Sequence, residues 1–406
     1  MKTFKTRIGL FTSFLTAALC STVAIAENSA VKIGVLNDQS TIYAAAGGVG
    51  SVVAAQLAAD DAGPVLGKAV EIVTADHQNK ADIGGGIARK WFDADGVDMI
   101  TDVPNSGVGF AVQNLAAQYK KLALLTGTLS ADFTGPRCNA YSAAWAIDTY
   151  SQPKALGPAV VRAGGDTWFF IAADYAFGRA LVADTSKEIE ARGGVVKGAV
   201  YAPLNTADFS SFLLQAQASK AKIIGLANAT ADTVNAIKQG REYGLDKSGQ
   251  KFVAFVMFIH DVKSLGLPVA QGLQLATPFY WDLDDQSRAF GRRFQARVGT
   301  PPTWDQAAVY SVVNHYLKAV KAVGAKDSDR VMAKMRELPI EDFMSKSARL
   351  RIDGRVERDM HVFEVKAPAE SKGEWDLYKY VATVPRKDAF RSMADGGCPL
   401  AAGQAK

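Results

Sequence analysis

Short apolar runs alternate with longer segments of helical periodicity along most of this chain. Each run is nearly continuous in its apolar residues, as expected for strands whose two faces are both covered by helices. The alternation predicts strand–helix–strand units that build a parallel sheet. Strands are predicted over residues 31–36, 70–75, 98–102 and 122–126, with helices over 49–61, 82–93 and 108–119.

A second series of the same kind follows residues 143–148. It predicts strands over 168–172, 195–201, 222–227 and 252–258, with helices over 152–163, 178–191, 208–219 and 231–242. Beyond it come a strand at 273–277, helices over 284–297, 305–322 and 328–336, and strands at 348–352, 361–366 and 376–384. The chain therefore holds the elements of two parallel sheets.

The N-terminus has the features of an export signal. Basic residues at 2, 5 and 7 precede an apolar run, and Ala24 and Ala26 flank Ile25 in an A-x-A pattern. We expect cleavage after about Ala26 and release into the periplasm. A lipoprotein signal at Cys20 is the competing interpretation, but Leu19 fits it poorly. No later segment has the roughly 20 apolar residues of a membrane anchor.

Cleavage after Ala26 leaves 380 of the 406 residues, more than one hydrophobic core usually supports. No polar or Pro-rich linker divides them, so we predict two doubly wound lobes joined by a multi-segment hinge. Lobe 1 is expected to comprise residues 27–148 and 278–347, and lobe 2 residues 149–277 and 348–406. Two such sheets that face each other place a ligand cleft at the carboxyl ends of their strands.

The charge of the chain bears on its binding partners, and its cysteine content bears on disulfide formation. Without the signal the formal net charge falls from +5 to +2 and no Lys/Arg cluster stands out, so we expect no nucleic-acid partner. Cys138 and Cys398 remain, and an isolated pair in an oxidising compartment predicts one disulfide.

Enzyme signatures are incomplete. Gly48 and Gly50 follow the first strand, but Val53 replaces the third glycine of a dinucleotide fingerprint. The four histidines are widely separated, which argues against a metal site. Ser106 lacks the glycines of a hydrolase elbow. We expect a binding protein with no cofactor; an NAD-dependent oxidoreductase is a remote alternative, and a sensory module another.

Hydroxyl and amide side chains follow the first-lobe strands. Together with backbone N–H groups at the next helix N-termini they suit an anion such as a carboxylate. The alternative is that they only cap helices. These residues are Asn37, Gln39, Ser40, Asn105, Ser106, Thr126, Thr128 and Ser130.

Three segments carry a resemblance to a known family. They are residues 31–35, the run Ala173-Asp174-Tyr175-Ala176-Phe177-Gly178, and residues 205–213, which a strand follows. The chain resembles the leucine/isoleucine/valine-binding branch of the periplasmic binding proteins, of the type I two-lobe fold, over nearly all of residues 31–395. The resemblance implies the substrate-binding component of an ABC importer, with permease subunits as partners, and we expect a monomer.

The resemblance also implies binding residues. A carboxylate would be held by Ser106 and Gly107 after the third strand and by Ser130 after the fourth, with Thr128 in support. Aromatic contacts would come from Tyr43 in the first loop and from Phe177, with Tyr175 two positions earlier. Asn105, Asn228 and Phe258 complete the candidate set.

One departure bears on the ligand. Amino-acid binders of this family hold the α-ammonium group with an acidic residue after the strand that here ends near Phe258, and no carboxylate occurs there before Asp261. A buried ammonium without a countercharge is costly. We therefore expect a small apolar or aromatic carboxylate. A branched-chain amino acid remains the alternative, with His260 or Asp261 turned into the cleft. Of the aromatics at 279–281, at least one is expected to be exposed or to face the cleft.

Overall fold

The computed structural model describes residues 29–402, together with Met1 and Thr3. The predicted export signal and its cleavage site therefore lie almost wholly outside the described residues. No helix in this described part is long and apolar enough to cross a membrane.

The first sheet has five parallel strands in the order β2-β1-β3-β4-β5. The chain runs through β1 (Lys32–Asn37), α1 (Gly48–Ala62), β2 (Glu71–Asp76), α2 (Ala81–Asp93), β3 (Met99–Asp102), α3 (Ser106–Tyr119), β4 (Leu122–Leu125), a 3₁₀ turn (Ala131–Thr134) and β5 (Ser142–Ala144). Strands β3 and β4 are buried at every position, because helices cover both faces of the sheet.

The second sheet has four parallel strands in the order β7-β6-β8-β9. It is built from α4 (Ser151–Arg162), β6 (Thr167–Ala173), α5 (Ala176–Glu190), β7 (Val195–Ala202), α6 (Ser210–Ala218), β8 (Ile223–Ala227), α7 (Thr230–Glu242) and β9 (Lys251–Ala254), followed by α8 (Ile259–Leu265) and α9 (Leu267–Ala270). The strand predicted over 252–258 was too long, since β9 ends at Ala254 and Phe258 immediately precedes α8.

The remaining elements attach to both sheets. They are β10 (Gln274–Thr277), α10 (Asp285–Val298), α11 (Trp304–Val323), α12 (Ser328–Glu337), β11 (Ile340–Asp342), β12 (Ser345–Leu350), β13 (Val356–Glu357), β14 (Met360–Val365), a 3₁₀ turn (Pro368–Glu370), β15 (Tyr378–Val384), α13 (Arg386–Ala389) and α14 (Met393–Gly396). Two small antiparallel sheets, β10-β14-β15 and β11-β12-β13, form here. The two doubly wound lobes predicted from the sequence are confirmed, and the division of the C-terminal segments between them stays a prediction.

Helix α11 returns the chain to the first lobe, where it packs along α1. Its first turn is fixed by a capping box, in which Thr303 Oγ1 accepts the Gln306 N–H at 3.1 Å and Gln306 Oε1 accepts the Thr303 N–H at 2.9 Å. Gln306 also donates to the Gly47 carbonyl at 3.0 Å. A side chain at Gly50 would collide with Gln306, so this close approach needs glycine. These contacts hold the start of α11 beside the β1–α1 loop.

A disulfide and a buried ion pair connect segments that are distant in the sequence. Cys138 and Cys398 form the predicted disulfide, with Cα atoms 5.6 Å apart. Between the lobes, the buried Arg355 lies 3.3 Å from Asp148 and its backbone forms a bridge with Ala144. The pair joins the first crossing between the sheets to the return segment before β14.

Candidate functional site

A cavity lies where the two lobes meet, and its lining follows the carboxyl ends of six parallel strands. That is the edge at which doubly wound sheets bind ligands. The first lobe provides Tyr43, Ala46, Pro104, Ser106, Gly127 and Leu129; the second provides Tyr175, Phe177, Ala229, Val256 and Phe258; the start of α11 adds Trp304 and Asp305. Of the predicted site residues, Tyr43, Ser106, Tyr175, Phe177 and Phe258 therefore meet in one place.

The lobes are in direct contact across this cavity. The hydroxyl groups of Tyr43 and Tyr175 are hydrogen-bonded at 2.8 Å. Burial raises the pKa of both phenols, so both are neutral at physiological pH. The open volume is only about 20 Å³, whereas small-molecule pockets usually have several hundred. A ligand can therefore enter only if the lobes separate or the lining side chains move.

The loop after β3 presents one hydroxyl group to the cavity. Asn105 caps α3, with its Oδ1 accepting N–H groups from Gly107 at 2.8 Å and Val108 at 3.2 Å. The Gly107 N–H expected to serve a carboxylate is thus already bonded. Ser106 Oγ accepts the Ser130 N–H at 3.3 Å and keeps its own proton free to donate. Ser106 is the hydroxyl best placed for an anion.

Three other predicted residues lie behind the lining. Ser130 caps the 3₁₀ turn, where its Oγ accepts the Asp132 N–H at 3.4 Å. The Thr128 hydroxyl is buried and makes no hydrogen bond to any described residue. Asn228 accepts from Thr233 at 2.7 Å, while its amide nitrogen has no partner among the described residues. Their role in binding stays a prediction.

Asp305 is the charged lining residue among those that the sequence patterns did not reveal. Its carboxyl group contacts that of Asp102 at the end of β3, and both are fully buried. Burial and this contact raise the pKa of Asp305, and burial raises that of Asp102. Asn37 donates to Asp102 at 2.9 Å. Two carboxyl groups in contact without a cation cannot both ionise, so the pair holds a proton.

Asp261, considered as a countercharge for an ammonium group, points elsewhere. Its Oδ2 accepts the Phe258 N–H at 2.8 Å and closes the N-terminus of α8. His260 is likewise engaged, with Nε2 3.2 Å from the Thr300 hydroxyl. Neither residue lines the cavity, whereas Asp305 is the acidic residue among the described residues that does.

The aromatic run 279–281 lies outside the cavity lining. Phe279 and Tyr280 are buried, and Phe279 packs edge-on against Phe290. Trp281 is half-buried, and its indole N–H donates to the Trp375 carbonyl at 3.1 Å. The expectation of one exposed aromatic is met only by Trp281, and only in part.

Comparison with known proteins identifies the family. Residues 30–374 match the sequence profile described as periplasmic binding protein. The chain belongs to this family. Members are substrate-binding proteins of ABC transporters, which bind a ligand and work with membrane permeases. No curated protein sequence matches the chain.

Solved structures of periplasmic binding proteins agree with this assignment. One from Burkholderia mallei is 46% identical with a TM-score of 0.89, covering 91% of this chain and 99% of that one. A branched chain amino acid ABC transporter periplasmic ligand-binding protein from Burkholderia xenovorans is 42% identical with a TM-score of 0.81, at the same coverage. A solute-binding protein from R. palustris in complex with benzoate is 18% identical, with a TM-score of 0.80, over 92% and 100% of the chains. The last similarity shows the fold alone.

Proposed function

We propose that this periplasmic binding protein captures a small apolar or aromatic carboxylate between its lobes and delivers it to the permease of an ABC importer. In this proposal it acts as a monomer in the periplasm after cleavage near Ala26. One observation carries the choice of ligand: the cavity joins the free hydroxyl of Ser106, at the N-terminus of α3, to a wall of aromatic and aliphatic side chains.

The chemistry of the wall supports an anion with an apolar body. A carboxylate at Ser106 would gain a charge-assisted hydrogen bond and the favourable end of the α3 dipole. Beyond it, the ring of Phe258 stacks on Trp304 with centroids 4.8 Å apart, which offers a flat apolar surface. The proton held by Asp102 and Asp305 lowers the negative charge of this pair, so a carboxylate ligand would meet less repulsion from it.

A branched-chain amino acid is the second candidate, and Asp305 is the observation that favours it. An ammonium group beside Asp305 would neutralise negative charge on the Asp102–Asp305 pair. Its positive charge would favour ionisation of both carboxyl groups, so the pair would lose the proton that it holds. The Burkholderia xenovorans relative is described as a branched chain amino acid ABC transporter periplasmic ligand-binding protein. Under this alternative Asp305 replaces the acid that the family places near Phe258.

Titration of benzoate and of leucine into the wild type and Asp305→Asn separates the two. For a carboxylate ligand, Asp305→Asn should leave benzoate affinity within a fewfold of the wild type, because asparagine resembles the protonated acid. For an amino acid, the variant should bind leucine about 10- to 100-fold more weakly, since the ammonium group loses the negative charge of its hydrogen-bond acceptor.

The control is Asp388→Asn, because Asp388 is exposed and does not line the cavity. Tight leucine binding that Asp305→Asn abolishes, with no benzoate binding in the wild type, would replace our proposal by the second candidate.

A further inference from the structure

A second cavity, much larger than the one between the lobes, lies outside the interlobe cleft. It opens between the sheet β10-β14-β15 and the segment from Phe343 to Ala348, and its volume is about 880 Å³. We call it the hinge groove, because β12, β13 and β14 form the last return of the chain between the lobes. It shares no lining residue with the cleft.

Arg358 forms part of the inner wall of the hinge groove and is 2% exposed. Its Nη1 donates to the Met344 sulfur at 3.4 Å, whereas its Nε and Nη2 have no hydrogen-bond partner among the described residues. Nε and Nη2 form the edge with which a guanidinium group binds two oxygens of one carboxylate or phosphate. The edge suited to an oxyanion is thus the edge left unsatisfied.

The acids around the hinge groove are committed to other partners. Asp342, the acid whose charge acts on Arg358, accepts hydrogen bonds from the Met344 N–H and the Ser311 hydroxyl. The lining acids are engaged as follows: Asp282 with Arg288, Asp284 with the Ser287 N–H, Asp359 with the Arg386 N–H, and Asp376 with Lys366. No described carboxylate therefore neutralises Arg358 by direct contact.

A buried guanidinium without a countercharge is unfavourable by several kcal/mol. Burial accordingly lowers the pKa of Arg358 to about 10, so the side chain still carries its charge at physiological pH. Ser345 adds a buried hydroxyl that has no partner among the described residues. Lys346 and Lys387 stand exposed at the rim.

We propose that the hinge groove is a second ligand site, in which Arg358 binds a small oxyanion, a carboxylate or a phosphate, through Nε and Nη2. Phe343, Phe363 and Tyr380 supply an apolar wall for the body of such a ligand. The two nitrogens are shielded from solvent, so the segment 343–347 must shift for the anion to reach them. The site stands independently of the ligand proposed for the cleft.

Calorimetric titration with inorganic phosphate and with benzoate tests this site. The proteins are the wild type, Arg358→Met and the control Arg349→Met, which removes an exposed arginine from β12 outside the groove. We expect one of the two anions to bind the wild type and Arg349→Met equally, and to bind Arg358→Met at least tenfold more weakly. The better anion identifies the ligand class.

Stoichiometry separates the two proposals for benzoate. If the cleft proposal holds and the hinge groove takes benzoate, the wild type binds two benzoates and Arg358→Met binds one; if the groove takes phosphate instead, both proteins bind one benzoate and only phosphate binding differs. If the cleft proposal fails and this one holds for carboxylates, the counts are one and none. Neither anion binding the wild type, or equal binding of both anions to wild type and Arg358→Met, would overturn the hinge-groove site.

Folding of the variant is itself informative. Methionine replaces an unneutralised buried charge by an apolar side chain of similar length, so the ligand-free Arg358→Met should melt no lower than the wild type. If Arg358→Met does not fold, the double variant Lys346→Met with Lys387→Met tests the site instead. Loss of these two exposed charges at the rim should weaken anion binding severalfold. Unchanged anion affinity in that double variant would then reject the site.

Discussion

Two buried aspartates near the cleft have different roles. Asp305 faces the cavity and shares a proton with Asp102, so it can respond to the charge of a ligand. Asp261 faces the backbone at the start of α8, where burial raises its pKa to about 7. We therefore expect substitution of Asp305 to change ligand binding and substitution of Asp261 to change folding stability.

Asp261 should make stability depend on pH. Its pKa in the folded protein lies above the ordinary value of 3.8. Protonated Asp261 therefore contributes stability that is fully present below about pH 4. This stability is lost as the pH rises through about 7. The loss is roughly 4 kcal/mol at most. In Asp261→Asn the amide oxygen can still accept the Phe258 N–H and no proton is lost, so that decline should disappear.

Chemical denaturation at pH 4.5, 6 and 8 checks this expectation. The free energy of unfolding of Asp261→Asn should rise relative to the wild type as pH increases. The comparison with the wild type is needed because His77, whose pKa burial lowers to about 4, contributes in the opposite direction below pH 6.5. Parallel pH profiles for the two proteins would show that Asp261 does not titrate in this range.

Some site residues could be read from the sequence and others could not. Ser106 and Tyr175 follow recognisable strands, and the carboxyl ends of parallel strands point to one cleft. Asp305 lies about 200 residues from the β3 loop it joins, in a helix whose packing partner the sequence does not specify. The capping box at Thr303 and Gln306 was a visible signal for the start of α11, though not for its place against α1.

At the scale of elements, the sequence predicts most strand and helix bounds to within two residues. The error at β9 is instructive, because residues 255–258 are as apolar as the strand they follow and all four are buried. They lie outside the sheet and lead into α8, whose start is fixed by Asp261 accepting the Phe258 N–H. An apolar run thus predicts burial, but it does not by itself predict that a strand continues.

The disulfide is the element-scale feature open to a direct test. Cys138 lies just before β5 and Cys398 just after α14, so the bond holds the C-terminal tail against the first lobe across 260 residues of sequence. We expect Cys138→Ala with Cys398→Ala to lower the free energy of unfolding by about 2 to 5 kcal/mol, because the unfolded chain regains freedom. Denaturant titration measures the change.

A matched control is the oxidised wild type under the same conditions, with intact-mass analysis after alkylation showing no free thiol. If the unfolding free energies of the double variant and the wild type agree, the tail contributes nothing through this bond. Two alkylated cysteines in the oxidised protein would instead show that the bond does not form.

For the whole molecule, the structure shows which contacts join the two lobes. The lobes are linked by several chain crossings, and Arg355 with Asp148 ties two of these together in a buried ion pair. Such a pair resists separation, since breaking it leaves an uncompensated charge. We therefore expect the crossings to act as the pivot of lobe opening, and the contacts on the opposite side of the cleft to be the ones that a ligand replaces.

The Tyr43–Tyr175 hydrogen bond is the contact of this kind that spans the cavity, and its loss should open the molecule. A neutral hydrogen bond contributes about 0.5 to 1.5 kcal/mol, so Tyr175→Phe should reduce the ratio of closed to open ligand-free protein roughly twofold to tenfold. Small-angle X-ray scattering would report this as a larger radius of gyration. Tyr243→Phe, an exposed site on the second lobe, should leave it unchanged.

Removing one hydroxyl also leaves the other buried without a partner, which adds a desolvation cost to the lost bond. The double variant Tyr43→Phe with Tyr175→Phe separates the two effects, because neither ring then carries an unsatisfied group. It should lie between the wild type and Tyr175→Phe in its closed population. A radius of gyration that is the same in all three proteins would mean that packing of the apolar rings, and not this bond, holds the lobes together.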